Sequence, residues 1–126
     1  MSYQKVNYQD VEPVADAMHF LGEPLESEQL GVTMVRCKPG WRGLKHDHTD
    51  NQHEEIYVCI DGGAEVTIDE ETVAMEPGDA LWIPPEATRQ LQNGDDESAF
   101  VLVSAPSTRQ EPTDPEEGWL VHGFIG

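Results

Sequence analysis

Three of the five histidines fall within eight residues, at His46, His48 and His53, and Glu54 and Glu55 follow directly. Imidazole nitrogens and carboxylate oxygens suit a first-row divalent metal such as Fe, Mn, Ni, Cu or Zn. Two histidines and one carboxylate also leave coordination positions open for a substrate. In extended chain, residues i and i+2 project from one face, so His46 and His48 point together and His53 shares a face with Glu55. If Thr49–Gln52 is a four-residue hairpin loop, His48 falls opposite His53 and His46 opposite Glu55, with Cβ atoms about 4.5–5.5 Å apart. The cluster is also surrounded by Asp47, Thr49, Asp50, Asn51 and Gln52, so a solvated polar loop explains the spacing about as well.

The elements that must position these residues read as β-strands. Leu30–Lys38 stops at Pro39-Gly40, and Glu54–Ile60 stops at Asp61-Gly62-Gly63. Ala64–Ile68 and Thr72–Met75 flank Asp69-Glu70-Glu71 as a hairpin, and Ala80–Ile83 follows the turn Glu76-Pro77-Gly78-Asp79. Thr88–Gln92 ends at Asn93-Gly94, a type I′ turn signal, and Ser98–Ser104 comes next. Short strands at roughly ten-residue spacing predict an all-β barrel or sandwich. The one helical period is weak and covers Val14–Leu21.

Along Glu55–Ile60, the face of Ile56, Val58 and Ile60 is apolar, and so is the face of Tyr57 and Cys59. A half-buried strand would alternate, so one face is expected in the barrel interior and the other under terminal segments or a second subunit. The chain divides into an N-terminal segment (1–29) packing on the barrel, the barrel itself (30–106) and a C-terminal tail (107–126). That tail turns apolar at Trp119, Leu120, Val121, Phe124 and Ile125 and is expected to pack on something.

The run from Gly40 through His46 and His48 to Glu55 and Gly62 resembles the first motif of the cupin family, G-x5-H-x-H-x(3,4)-E-x6-G, with six residues between His48 and Glu55. Gly78, Pro84 and Asn93 resemble the second motif, G-x5-P-x-G-x2-H-x3-N, with Glu86 at the glycine and Arg89 at the histidine. The resemblance spans about Val32 to Pro106, and the chain looks like the small, acidic single-domain cupins of halophilic archaea. It implies a jelly-roll β-barrel of antiparallel strands, often a homodimer, with a metal near the barrel mouth. By position it implies His46, His48 and Glu55 as metal ligands.

Arg89 cannot ligate a cation, and three arrangements follow. The His46–His48–Glu55 triad holds the metal alone, His53 supplies the missing ligand, or the pocket is metal-free and Arg89 grips an anion. Tyr57 is a donor behind Glu55 or a core residue, and Trp41 and Trp82 line a ligand pocket or the core. The function expected is a metal-dependent dioxygenase or isomerase acting on a small anionic metabolite. The alternatives are a non-catalytic carboxylate or sugar binder with Arg89 as its contact, and a ligand-free dimerisation domain.

Charge and composition narrow the partners. Asp and Glu number 25 against 7 Lys and Arg, a net charge of −18, and the acids are dispersed rather than gathered in one arm. Such a field repels nucleic acid and anionic membrane surfaces. It is self-repulsive at low salt and screened at high salt, which reads as adaptation to a saline cytoplasm. The longest apolar runs, Ile56–Ile60 and Ala99–Val103, are too short to span a membrane, and Met1–Asp10 has no apolar stretch of the kind a secretory leader needs. Cys37 and Cys59 sit in apolar runs and read as buried free thiols of a cytoplasmic protein.

Overall fold

The computed structural model describes residues 2–107, and the apolar tail residues Trp119–Ile125 and His122 lie outside them. Eight strands form two antiparallel sheets: β1 (Met18–Phe20), β2 (Gly31–Cys37), β3 (His53–Asp61), β4 (Ala64–Ile68), β5 (Glu71–Met75), β6 (Ala80–Ile83), β7 (Arg89–Asn93) and β8 (Ser98–Pro106). One sheet has the order β1-β2-β8-β3-β6 and the other β5-β4-β7. With one four-residue helix, α1 (Gly22–Leu25), this is an all-β jelly roll. Among the described residues, no helix is long and apolar enough to cross a membrane.

Strand alternation decides what faces inward. Val35, Phe100, Cys59 and Ile83 from the larger sheet and Val66 and Leu91 from the smaller one are buried between the two. Each such side chain contributes about 1.5–3 kcal/mol. Cys37 and Cys59 are buried and unpaired with each other. On β3, Tyr57 and Cys59 take the interior, while Ile56 and Ile60 point outward and remain 41% and 46% exposed. Among the described residues, the outer face of β3 is thus only partly covered.

The motif glycine Gly62 has φ +68, and a Cβ there would collide with the carbonyl of Glu97, so glycine is required. Asn93 is a structural tie. Its Nδ2 donates to the carbonyls of Lys38 (2.7 Å) and Asp96 (2.8 Å), and its Oδ1 accepts from Ser98 Oγ (2.8 Å).

Two local expectations are corrected. The helical period at Val14–Leu21 is instead a tight turn into β1, because Ala15 (φ 53) and Asp16 (φ 61) take left-handed backbone and Val14 bridges Met18. Asn93-Gly94 does not close a hairpin either: β7 pairs with β4, β8 pairs with β2 and β3, and the chain crosses between sheets there. Tertiary pairing overrides the turn propensity.

Candidate metal centre

His46 and Glu55 arrive from opposite sheets. The stretch from Trp41 to His46 lies against β7, with His46 N–H donating to Arg89 O (3.0 Å) and Arg89 N–H returning to His46 O (2.7 Å). His48 N–H donates to Pro85 O (2.8 Å). Asp47 steadies the following loop by accepting from Thr49 N–H (3.1 Å) and Thr49 Oγ1 (2.8 Å). Glu55 projects inward from β3, between Ile83 of β6 and Ser104 of β8.

The expected hairpin square is therefore replaced. His46 stands beside Arg89 rather than Glu55, and His53 pairs with Pro106 at the end of β3. The reason is topological: the two halves of the first motif belong to different sheets and meet only across the barrel.

One donor atom from each of His46, His48 and Glu55 lies within 4.8 Å of the others. His53 is not part of that group, and its ring centre is 6.4 Å from that of His48. The Nδ1 of His46 lies 2.8 Å from Leu44 O. A carbonyl only accepts, so Nδ1 carries the proton and Nε2 keeps its lone pair for a ligand role. Burial, reinforced by the Arg89 charge, holds His48 below the usual histidine range even though Glu55 pulls the other way. A neutral imidazole is the form that binds a metal.

Glu55 Oε1 sits 3.0 Å from His48 Nε2 and 3.3 Å from Arg89 Nε. These are ion-pair distances, but none of the three buried atoms has a properly directed hydrogen bond. The orphaned His48 Nε2 and Glu55 Oε1, side by side, fit a site built to hold a cation, while the Arg89 Nε–H next to them adds a fixed positive charge. The donor set suits Fe, Mn, Ni, Cu or Zn.

Arg89 is fully buried. Its Nη1 donates to Ala87 O (2.8 Å) and its Nη2 to Pro84 O (3.0 Å), while Nε faces Glu55. It does not line the cavity beside the cluster, so the expected anion contact is turned inward, toward the carboxylate. Tyr57 does line that cavity, and burial, with the Glu55 charge, raises its hydroxyl pKa well above the usual value, so it stays protonated. Trp82 does not line it. Because Ile83 faces inward, its neighbour faces out, and Trp82 is 58% exposed with Nε1 donating to Glu54 Oε1 (2.9 Å).

The cavity is about 440 Å³ and is walled by Met18, Phe20, Trp41, Leu44, Leu91 and Leu102, with the His46–His48–Glu55 cluster among its lining. Met18 and Phe20 escaped sequence reasoning because they precede both motifs and reach the site only through the pairing of β1 with β2.

A family model for the cupin domain matches residues 33–105. An uncharacterized protein of Methanocaldococcus jannaschii is 30% identical over 76 residues, which is 60% of this chain and 59% of that protein's length. A cupin protein from Bacteroides fragilis superposes with a TM-score of 0.69 at 28% identity, covering 87% of this chain and 93% of that one. A sugar phosphate isomerase of the cupin superfamily from Silicibacter pomeroyi also gives a TM-score of 0.69, at 23% identity, over 82% of this chain and 76% of its own. At that identity the likeness concerns fold. With the barrel, the inward-facing motif residues and the family match over 33–105 in agreement, the chain belongs to the cupin family.

Proposed function

We propose that this protein is a metal-dependent cupin enzyme of the dioxygenase or isomerase kind, with a divalent ion held by His46, His48 and Glu55. The observation that carries this reading is the convergence of three donor atoms within 4.8 Å beside a cavity of about 440 Å³. A bound ion would supply Lewis acidity to an oxygen atom of the small-molecule substrate.

The chain's own residues set the rest. The Leu44 carbonyl fixes the His46 tautomer, and Arg89 orients the Glu55 carboxylate and offsets its charge. Tyr57 keeps its proton and can donate a hydrogen bond to a bound oxygen. The apolar walls exclude water from the reacting group. Arg89 offers little to an incoming anion, because it is wholly buried, paired in charge with Glu55 and bonded through Nη1 and Nη2 to backbone carbonyls. The buried free thiols Cys37 and Cys59 suit a reducing, cytoplasmic setting.

Elemental analysis of untagged protein, purified after iron, manganese and nickel supplementation, tests the reading. About one ion per chain is expected, since each site is built from a single chain. Clearly substoichiometric metal in all three preparations rejects it and leaves a non-catalytic binder.

A further inference from the structure

We propose that the cavity selects an amphipathic small molecule, with an apolar body and one oxygen-bearing head, over phosphorylated or polyhydroxylated ligands. The head would lie at the His46–His48–Glu55 cluster, so this rests on the reading of that cluster as the reactive end. Two observations carry it. The walls are mainly hydrocarbon, with Met18, Phe20, Val35, Trp41, Leu91 and Leu102 among them. Among the described residues, no lysine or arginine lines the cavity, and the other charged residue present besides the cluster is Glu23.

A phosphate placed anywhere but on an ion at the cluster needs a cation or an array of backbone donors of its own. The nearest guanidinium, that of Arg89, is buried against Glu55 and carbonyl oxygens, and the chain carries a net charge of −18. A phosphate in the body of the cavity is therefore opposed by the walls and by the whole field, and a sugar phosphate that set its phosphate at the cluster would lay its hydroxyls against hydrocarbon. A sugar fares poorly for another reason. Thr33 and Ser104 provide hydroxyls on one wall, but a ligand hydroxyl left unpaired against the remaining walls loses about tenfold or more in affinity. An apolar body matches these walls, and each methylene buried tightens binding about fourfold.

The test is calorimetric titration of the full-length protein, metal-free and metal-loaded, with straight-chain carboxylates from acetate to decanoate and with glucose 6-phosphate, at constant ionic strength. Affinity should rise about three- to fourfold per methylene and stop rising at the length that fills the cavity. Glucose 6-phosphate should bind more weakly than octanoate. Leu102→Trp should move the cut-off to a shorter chain. Leu44→Glu, at a position 76% exposed where the fold tolerates a charge, should weaken every long-chain acid by removing apolar wall and adding repulsion. Affinity independent of chain length, tighter binding of the sugar phosphate, or a cut-off and affinities unchanged in both variants would overturn the proposal. The metal reading is scored separately. The chain-length series in a protein that takes up no ion when supplied with one would sink the metal centre and leave the ligand class standing. A flat series in a fully loaded protein would do the reverse.

Discussion

Arg89 and Glu55 meet across the barrel, one on the smaller sheet and one on the larger, with Nε 3.3 Å from Oε1 and the arginine wholly removed from water. The pair brings a fixed positive charge to the edge of a site whose donor atoms suit a cation. Glu55 is thereby partly neutralised, which weakens its pull on a metal but keeps the carboxylate in place without one.

Removing one member of a buried pair leaves the other uncompensated, at a cost of about 3–5 kcal/mol. Arg89→Met should lose that much, because it also frees the carbonyls of Pro84 and Ala87. Glu55→Gln keeps an acceptor and should lose about 1–3 kcal/mol. The double variant should be more stable than the sum of the two losses predicts. Urea unfolding at constant ionic strength measures all three, and strictly additive losses would show that the two side chains are not coupled.

The ligand group predicts a graded set of metal affinities. His46→Ala or His48→Ala should lower occupancy by about tenfold or more, since three ligands are few. His53→Ala should stay within about twofold, because its ring stands apart from the group. His19, bonded through Nδ1 to Val11 O at 2.7 Å, serves as the control. Occupancy from elemental analysis decides between them, and a loss in His53→Ala equal to that in His46→Ala would restore it as a fourth ligand.

Much of this arrangement could be read in the chain, for identifiable reasons. Strand positions were legible because turn residues such as Gly62 and Gly78 require backbone that other residues resist. The identity of the three converging residues was legible because one short motif carries them all. Their partners were not. The placement of His46 beside Arg89, and of Glu55 across the barrel from both, depends on pairings between segments more than 30 residues apart in sequence. Local spacing suggested a hairpin instead. Trp82 is a similar case: its type suggests a pocket or a core, and only its register against Ile56 turns it outward. Arginine at position 89 gives no sign in the sequence that its charge is buried.

The net charge of −18 should make stability depend on salt. At about 0.1 M salt the Debye length is about 10 Å, so neighbouring carboxylates repel one another, and at molar salt it falls to about 3 Å. Thermal unfolding followed by circular dichroism should therefore move to higher temperature between about 0.1 M and 3 M KCl. Coincident melting curves would rule out adaptation to a saline interior.

The outer face of the larger sheet carries the last prediction. Val103, Ile56 and Trp82 lie side by side in register across β8, β3 and β6, and the next row is Val101, Val58 and Ala80. Ile56 and Trp82 are 41% and 58% exposed, and Ile60 continues the patch at 46%. A contiguous apolar surface of this kind on an otherwise acidic protein marks an interface, and a two-fold axis lets the same patch cover itself. Light scattering in about 2 M KCl, where charge repulsion is screened, should give twice the 14.0 kDa chain mass. Trp82→Glu should halve that mass without changing the far-ultraviolet circular dichroism, because the indole contributes nothing to the interior. A wild-type mass of one chain under those conditions would remove the dimer, and a Trp82→Glu protein that stays double would move the interface to another face.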